Sequence, residues 1–189
     1  REGSGERYVL MNIFGGGWGG RHHADGESAA VSICQGDVRN TPVELQEIHY
    51  PFLLEYHRLR PDSGGPGRFR GGLGVELKYR ALEKSTVNVM LERILEPPWG
   101  TNGGHDGRSN AATLSSSGTE RPVTKESNIA LSPGDTVVFR TAGGGGYGDP
   151  SLRDPQEILE DLRQGYITPA QAQADYGHSG VFTNQEVNP

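Results

Sequence analysis

Histidine and acidic side chains that could bind a metal occur in two polar, glycine-containing stretches. The motif RHHADG supplies His22, His23 and Asp25, and His105 and Asp106 lie farther along the chain. Adjacent histidines point to opposite sides of an extended chain, whereas a metal usually needs about three or four converging ligands. We therefore expect surface loops here, with a metal site or a substrate contact as the less favoured alternatives.

Two arginines flank Phe69 in the motif GRFRGG. In an extended segment, residues two apart face the same side, so the side chains of Arg68 and Arg70 would point the same way. Their planar guanidinium groups could bind a carboxylate or phosphate in bidentate fashion, which would make an anion clamp. The alternative, which we favour, is a pair of structural salt bridges to Asp62 or to a neighbouring glutamate.

Four consecutive glycines stand in the stretch TAGGGGYGDPSLRDP. Ordering each one costs roughly 0.5–1 kcal/mol relative to alanine, so a folded protein needs a reason for them. Because Asp149 and a proline separate the run from the next helix, and no Gly-Lys-Ser/Thr ending occurs, a nucleotide cradle is disfavoured. The remaining alternatives are a close approach of two chain segments and a flexible linker.

Charge and cysteine content limit the possible partners and compartment. The net charge is −6 with no basic block, and the sequence has no run of roughly 20 apolar residues, so we expect no nucleic acid and no membrane. The first residues also lack the apolar core of a signal peptide. Cys34 is the single cysteine and has no base nearby, which favours an inert thiol, a reducing compartment and a cytoplasmic protein.

Short strand-like segments dominate the first 150 residues, and the 29 glycines and 12 prolines indicate many turns. Pro51 argues against one helix through 43–61, so we predict a strand on each side of it. The polar stretch 96–122 is predicted to be a long loop. Further strands are predicted over 7–14, 29–36, 75–83, 85–94 and 136–141.

Two helix-start signals follow. Asp154 precedes Pro155 and Thr168 precedes Pro169, which places a capping side chain before a proline at the first helical position. We therefore predict a mainly β (α+β) protein: a glycine-rich β-sheet domain with two short C-terminal helices. The expected units are a β domain over 1–150, a helical segment over 151–177 packed on it, and an extended or frayed tail over 178–189.

Three motifs in fixed order carry a family resemblance. RNTPVE, RPDSGGPGRFRGGLG and GGGGYGDP, with PWG at 98–100 between the last two, resemble the C-terminal part of the hydantoinase B/oxoprolinase family. This family includes the B subunits of ATP-dependent N-methylhydantoinases, 5-oxoprolinases, and related subunits of acetone and acetophenone carboxylases. The resemblance covers most of the chain. It implies that the four glycines form a family-specific turn with positive φ and close backbone approach, at or near a shared cleft, and not a linker. We therefore take Gly144, Gly145, Tyr147 and Asp149 as candidates for binding a substrate or partner.

The resemblance implies a role inside a larger ATP-dependent enzyme. An A-type subunit of actin-like ATPase character would bind ATP and Mg and activate a lactam, imide or ketone oxygen by phosphorylation, and the B-type subunit would carry out hydrolysis or carboxylation. The chain is much shorter than a whole B-type subunit. The family's metal-associated His/Asp motifs belong to the N-terminal part that is missing here, so we assign HHADGE no ligand role.

We therefore expect the C-terminal portion, or a split subunit, of an ATP-dependent cyclic amide hydrolase acting on a hydantoin, 5-oxoproline or another lactam. Its partners would be the A-type subunit and the N-terminal remainder of the B-type subunit, where a divalent metal could be bound. The alternatives are a small subunit of an ATP-dependent ketone carboxylase and a non-catalytic β-rich assembly module. We expect no activity from the chain by itself, and the sequence identifies no catalytic residue.

Overall fold

The computed structural model describes residues 8–31 and 40–177, which form a mainly β protein with short helices. In chain order its elements are α1 (Val43–His49), β1 (Phe52–Leu59), β2 (Val75–Ala81), β3 (Ser85–Val89), β4 (Ala111–Ser116), β5 (Thr119–Val123), β6 (Glu126–Leu131), β7 (Thr136–Arg140), a 3₁₀ turn (Pro150–Leu152), α2 (Pro155–Arg163) and α3 (Pro169–Tyr176).

A five-stranded antiparallel sheet in the order β1-β2-β7-β4-β5 forms the main layer, and β3 and β6 pair separately. Alternating residues of the strands face the core, as a period of two requires. Strand β2 buries Val75 and Leu77, and the central strand β7 buries Val137 and Phe139 beside them. The small sheet packs Ile129 against the same core.

The two C-terminal helices begin as their capping residues predict. The Asp154 side chain accepts a hydrogen bond from the Gln156 amide at the start of α2, and Thr168 accepts one from the Gln171 amide at the start of α3. The glycine after α3, Gly177, takes the left-handed conformation with φ 67. The helices share a small apolar cluster made of Ile158, Leu162, Ile167, Ala172 and Tyr176.

Two strand predictions are wrong. The segment before Pro51 is helix α1, because the proline ends a helix at this point instead of dividing two strands. Residues 8–14 form no strand within the described part of the chain, and only an isolated bridge at Ala30 stands for the predicted second strand. Residue 7, residues 32–36 with Cys34, and the predicted tail 178–189 lie outside the described residues.

The predicted loop over 96–122 contains a β-hairpin. In AATLSS every second residue faces the core, so Ala112 and Leu114 are buried. The alternation is weak in the sequence because the other side chains are small, and the segment therefore resembles a polar loop. Ser117 and Gly118 both have positive φ and join β4 to β5, as two-residue hairpin turns require. Strand β6 was also absent from the sequence-based prediction.

Candidate functional site

Five extended, glycine-containing segments pack side by side next to the main sheet. The segment 142–148 lies in the middle, because its carbonyl groups accept hydrogen bonds from three of the other segments. The Gly145 carbonyl accepts from the amide of Gly20 (2.8 Å), that of Gly144 from Gly65 (2.8 Å) and that of Gly146 from Thr101 (2.9 Å). We call this unit the glycine-rich bundle, and it consists of 15–20, 26–30, 63–74, 98–107 and 142–148.

Each of the four consecutive glycines lies against the backbone of another segment. A Cβ atom on Gly144 would stand 1.9 Å from the carbonyl oxygen of Trp18, and one on Gly145 would stand 2.0 Å from that of Trp99. Side-chain carbons essentially never come within 3.0 Å of such atoms. The predicted close approach is therefore confirmed. A Cβ atom on Gly143 would likewise stand 1.9 Å from the carbonyl oxygen of Ser63, and one on Gly146 would stand 2.0 Å from that of Pro66.

The prediction of positive φ for this run is wrong, because none of its four glycines has a positive φ. The first glycine after position 142 with positive φ is Gly148, at 77. The run is thus extended, and its glycines are needed for the missing side chain and not for a left-handed backbone.

The contacts of the bundle repeat every third residue. Gly17 faces the amide of Gly144, and Gly20, three residues on, faces the amide of Tyr147. This is the periodicity of polyproline II helices, which have about three residues per turn and no internal hydrogen bonds. Their amides and carbonyls must pair with neighbouring segments, which is what the bundle provides.

A buried cluster of four charges joins the bundle to helix α2. Arg70 donates two hydrogen bonds to the Asp161 carboxylate, both at 3.1 Å, and Arg153 donates to Asp161 and to both oxygens of Asp25 at 2.8 Å. Arg70, Arg153 and Asp161 are each at most 5% exposed. The two cations and two anions compensate one another, although the Asp25 side chain is 30% exposed, and the half-exposed Glu157 carboxylate approaches Arg153 to 3.3 Å at the edge of the cluster.

The cluster supports the salt-bridge interpretation for Arg70 but not for Arg68. Arg70 forms structural salt bridges, as we favoured, but its partner is Asp161 rather than Asp62 or a glutamate. Arg68 is exposed and lies over the Phe69 ring at 5.4 Å. The two guanidinium groups thus lie in different environments, and the donors of Arg70 are already occupied.

Sequence reasoning missed Arg153 and Asp161, although one signal was available. Asp161 stands between Ile158 and Leu162 on the apolar face of α2, where a charged residue needs a buried partner. Its pairing with Arg70 depends on a contact across 91 residues of chain, which no local pattern indicates.

The metal candidates are not brought together as a ligand set. Burial by itself would raise the pKa of Asp25, but its hydrogen bond to Arg153 and the charges of Arg153 and Arg70 lower it overall. This carboxylate is therefore committed to the arginines. His22 and His23 are exposed and contact each other at 3.2 Å. Within residues 8–31 and 40–177, no group of three or more His, Cys, Asp or Glu side chains could hold a metal.

The remaining candidates divide between the interior of the bundle and one exposed end. Gly144 and Gly145 are buried, so they cannot present a surface to a ligand. Tyr147 is partly exposed, and its hydroxyl accepts a hydrogen bond from Asn102 at 2.6 Å. Asp149 is exposed; hydrogen bonds from Ser151 mainly lower its pKa.

His105 and Asp106 belong to the same exposed end. The His105 carbonyl accepts a hydrogen bond from the Gly146 amide at 2.9 Å, which places this residue beside the segment that carries Tyr147. Asp106 accepts a hydrogen bond from the Gly100 amide at 2.9 Å and so fixes its own loop. This end of the bundle offers hydroxyl, amide, imidazole and carboxylate groups that can hydrogen-bond a ligand or a partner.

The profile of the hydantoinase B/oxoprolinase family matches residues 1–150. The chain belongs to this family. It is 34% identical to the B subunit of a putative D-/L-hydantoinase from a Pseudomonas species, a match that covers 92% of this chain and 30% of that protein. It is 30% identical to the beta subunit of caprolactamase from Pseudomonas jessenii, over 89% of this chain and 30% of the relative.

Two solved structures share the fold of this chain. The ATP-dependent caprolactamase from Pseudomonas jessenii matches with a TM-score of 0.76 and 27% identity, over 91% of this chain and 32% of its own. Nucleotide-free acetone carboxylase matches with a TM-score of 0.74 and 22% identity, over 88% of this chain and 27% of its own. The chain thus spans about a third of these relatives. No helix in its described part is long and apolar enough to cross a membrane.

Proposed function

We propose that this chain is the C-terminal portion, or a split form, of a B-type subunit in a cytoplasmic ATP-dependent enzyme that hydrolyses a cyclic amide. The supporting observation is membership of the hydantoinase B/oxoprolinase family together with the names of its relatives. A hydantoinase B-type chain, a caprolactamase beta chain and a 5-oxoprolinase all match this chain at 30% identity or more.

In this proposal the chain supplies a rigid frame and the chemistry depends on other parts of the enzyme. The exposed end of the glycine-rich bundle, with Tyr147, Asn102 and Asp149, would border a cleft shared with those parts. An actin-like ATPase subunit would bind ATP and Mg, and the remainder of the B-type subunit would hold any divalent metal. The buried charge cluster supports this role, because it ties the bundle to α2 and leaves little freedom between them.

A ketone carboxylase subunit is the second candidate. The shared fold with acetone carboxylase supports it, although a match at 22% identity is evidence for a common fold and not for a common reaction. The two candidates differ in the co-reactant that the activated substrate would meet, which is water in one case and bicarbonate in the other.

The test uses the complete B-type subunit, either as one polypeptide or as this chain with a separate N-terminal part, purified with its ATPase partner. We expect ATP hydrolysis that depends on an added cyclic amide such as hydantoin, caprolactam or 5-oxoproline, and no turnover by the 189-residue chain alone. ATP hydrolysis that responds to acetone and bicarbonate but to no cyclic amide would favour the carboxylase. Turnover by the isolated chain, above that of a Tyr147→Phe and Asp149→Asn double variant, would contradict the proposal that the chain is one part of a shared site.

A further inference from the structure

Three places in the chain have an aspartate or asparagine directly before a glycine: Asp25–Gly26, Asn102–Gly103 and Asp106–Gly107. In such a pair the glycine nitrogen can attack the side-chain carbonyl carbon and close a succinimide ring, because glycine has no side chain to obstruct the approach. The attacking nitrogen must lose its proton and turn toward the side chain. A hydrogen bond from that amide opposes both steps, so the fold determines which pair reacts.

The glycine amides of the two aspartate pairs are engaged. The Gly26 amide donates to the Arg70 carbonyl at 2.8 Å, and the Gly107 amide donates to the Pro98 carbonyl at 2.9 Å. Both glycines belong to the glycine-rich bundle, and Gly107 is buried. Ring closure at either pair would therefore require these hydrogen bonds to break inside packed backbone.

The Asn102–Gly103 pair is in a different environment. Within residues 8–31 and 40–177 the Gly103 amide donates no hydrogen bond, and both residues are exposed. Their φ values of 51 and 92, with the hydrogen bond from the Gly104 amide to the Thr101 carbonyl at 2.9 Å, are those of a type I′ turn. Ring closure requires this turn and the exposed bond from Asn102 to Tyr147 to open, but no backbone hydrogen bond between segments of the bundle.

We propose that Asn102 is a site of spontaneous modification, at which the side-chain amide is converted to a carboxylate. The Gly103 nitrogen loses its proton and bonds to Cγ of Asn102, and the Cγ–Nδ2 bond breaks, so that ammonia leaves with a proton gained in exchange. Water then adds to one of the two carbonyl carbons of the succinimide and opens the ring, which gives aspartate or isoaspartate. Water is the co-reactant, and asparagine is among the thermolabile residues of proteins.

The conversion changes the exposed end of the bundle. Asn102 donates a hydrogen bond to the Tyr147 hydroxyl at 2.6 Å, whereas a carboxylate can only accept, so the hydroxyl would have to become the donor. The new charge would lie near Asp149, since a Cβ atom on Gly103 would stand 3.6 Å from the Asp149 amide nitrogen. Two like charges at this end repel each other. The effect on the enzyme rests on the proposed function: turnover would fall slowly and irreversibly as the protein ages.

Labelling with heavy-oxygen water tests the site, because hydrolysis of the succinimide adds one solvent oxygen at an asparagine and at an aspartate alike. The 189-residue chain is incubated folded, and also unfolded in guanidinium chloride, and the label at each pair is measured by peptide mass spectrometry. The ratio of the unfolded to the folded rate measures protection by the fold and cancels the intrinsic difference between asparagine and aspartate.

We expect the protection ratio at Asn102 to be at least about tenfold smaller than at Asp25 and at Asp106, since only the amide of Gly103 is unbonded. Equal protection at the three pairs, or no label at Asn102 in the folded chain, would overturn the proposal.

Two variants test the effect on the enzyme. Asn102→Asp has the charge of the product, and Asn128→Asp is the matched control, because Asn128 is also exposed with a positive φ of 60 but lies in β6. In the complete B-type subunit with its ATPase partner, we expect Asn102→Asp to lower cyclic-amide-dependent ATP hydrolysis at least about threefold and Asn128→Asp to leave it unchanged. Equal rates in the two variants would overturn this effect. Absence of that hydrolysis in the wild type would contradict the proposed function and would leave the labelling result unaffected.

Discussion

The main sheet and the glycine-rich bundle are held together in opposite ways. The sheet buries large side chains such as Leu77 and Val137, which are 1% and 3% exposed. The bundle instead brings backbone against backbone, and Gly144 leaves no room for a single carbon beside Trp18. The sheet should therefore lose stability when atoms are removed, and the bundle when one is added.

The largest effect is expected when a methyl group is added at the centre of the bundle. Gly144→Ala should lower the free energy of unfolding by more than about 4 kcal/mol, because its clash is with a backbone carbonyl that many hydrogen bonds hold in place. Leu77→Ala, in the sheet, should cost about 2–5 kcal/mol through the cavity it leaves. Both are measured by chemical denaturation of the purified chain.

Gly19→Ala is the matched control within the bundle. A Cβ atom there would stand 3.7 Å from the Gly145 carbonyl, which is ordinary contact. Its stability should stay within about 0.5 kcal/mol of the wild type. If Gly144→Ala proved as stable as Gly19→Ala, the backbone packing described for the bundle would be incorrect.

The next effect concerns the joint between the bundle and the helices. Arg70→Lys keeps the charge but cannot donate both hydrogen bonds to Asp161, so we expect the free energy of unfolding to fall by roughly 2 kcal/mol. Arg68→Lys, two residues away and exposed, should change stability by less than about 0.5 kcal/mol. Thermal unfolding of both variants makes the comparison. Equal melting temperatures would mean that Arg70 is not fixed in the buried cluster.

Local patterns predicted the elements whose causes are local. The caps at Asp154 and Thr168 predicted both C-terminal helices, and alternation predicted strands β1 and β3. Strands β2 and β7 were predicted as short segments bounded by turn residues. Helix α1 was mistaken for a strand because its hydrophobic pattern is short and ends at Pro51. The β4–β5 hairpin was hidden by small residues.

The candidate site was predicted less well, since its determinants are distant in sequence. The need for glycine at 143–146 was recognised, but its cause is contact with Ser63, Trp18, Trp99 and Pro66, which only the fold brings near. The pairing of Arg70 with Asp161 has the same origin. By contrast, the family motifs were sufficient to indicate the family.

A smaller effect should appear on acidification. The folded-state pKa of Asp25 is lowered below its ordinary value of 3.8, so its ionised form stabilises the protein at higher pH. This contribution is complete above the unfolded-state pKa and is lost as the pH falls through the folded-state pKa. We expect Asp25→Asn to be less stable than the wild type at pH 7 and the difference to shrink below about pH 4. A difference independent of pH from 7 to 3 would contradict this.

The smallest structural effect is expected at the exposed end of the bundle. Tyr147→Phe removes one partly exposed hydrogen bond with Asn102, so its stability should fall by no more than about 1 kcal/mol. If this end borders the substrate cleft, cyclic-amide-dependent ATP hydrolysis by the assembled enzyme should fall at least about tenfold, which is about 1.4 kcal/mol. Unchanged turnover in Tyr147→Phe would leave the hydroxyl with a structural role.

The central segment of the bundle is also the last of its five segments along the chain, and this has a consequence for how the protein reaches its fold. Thr141, at the entrance to that segment, donates a hydrogen bond to the Gly15 carbonyl across 126 residues, and Arg153 reaches Asp25 across 128. Contacts that close such long loops are slow to form, because the chain loses the entropy of loop closure before the stabilising contacts are made. During synthesis the first four segments therefore lack the central segment with which they pair. We expect the bundle to form only after residue 148 has left the ribosome.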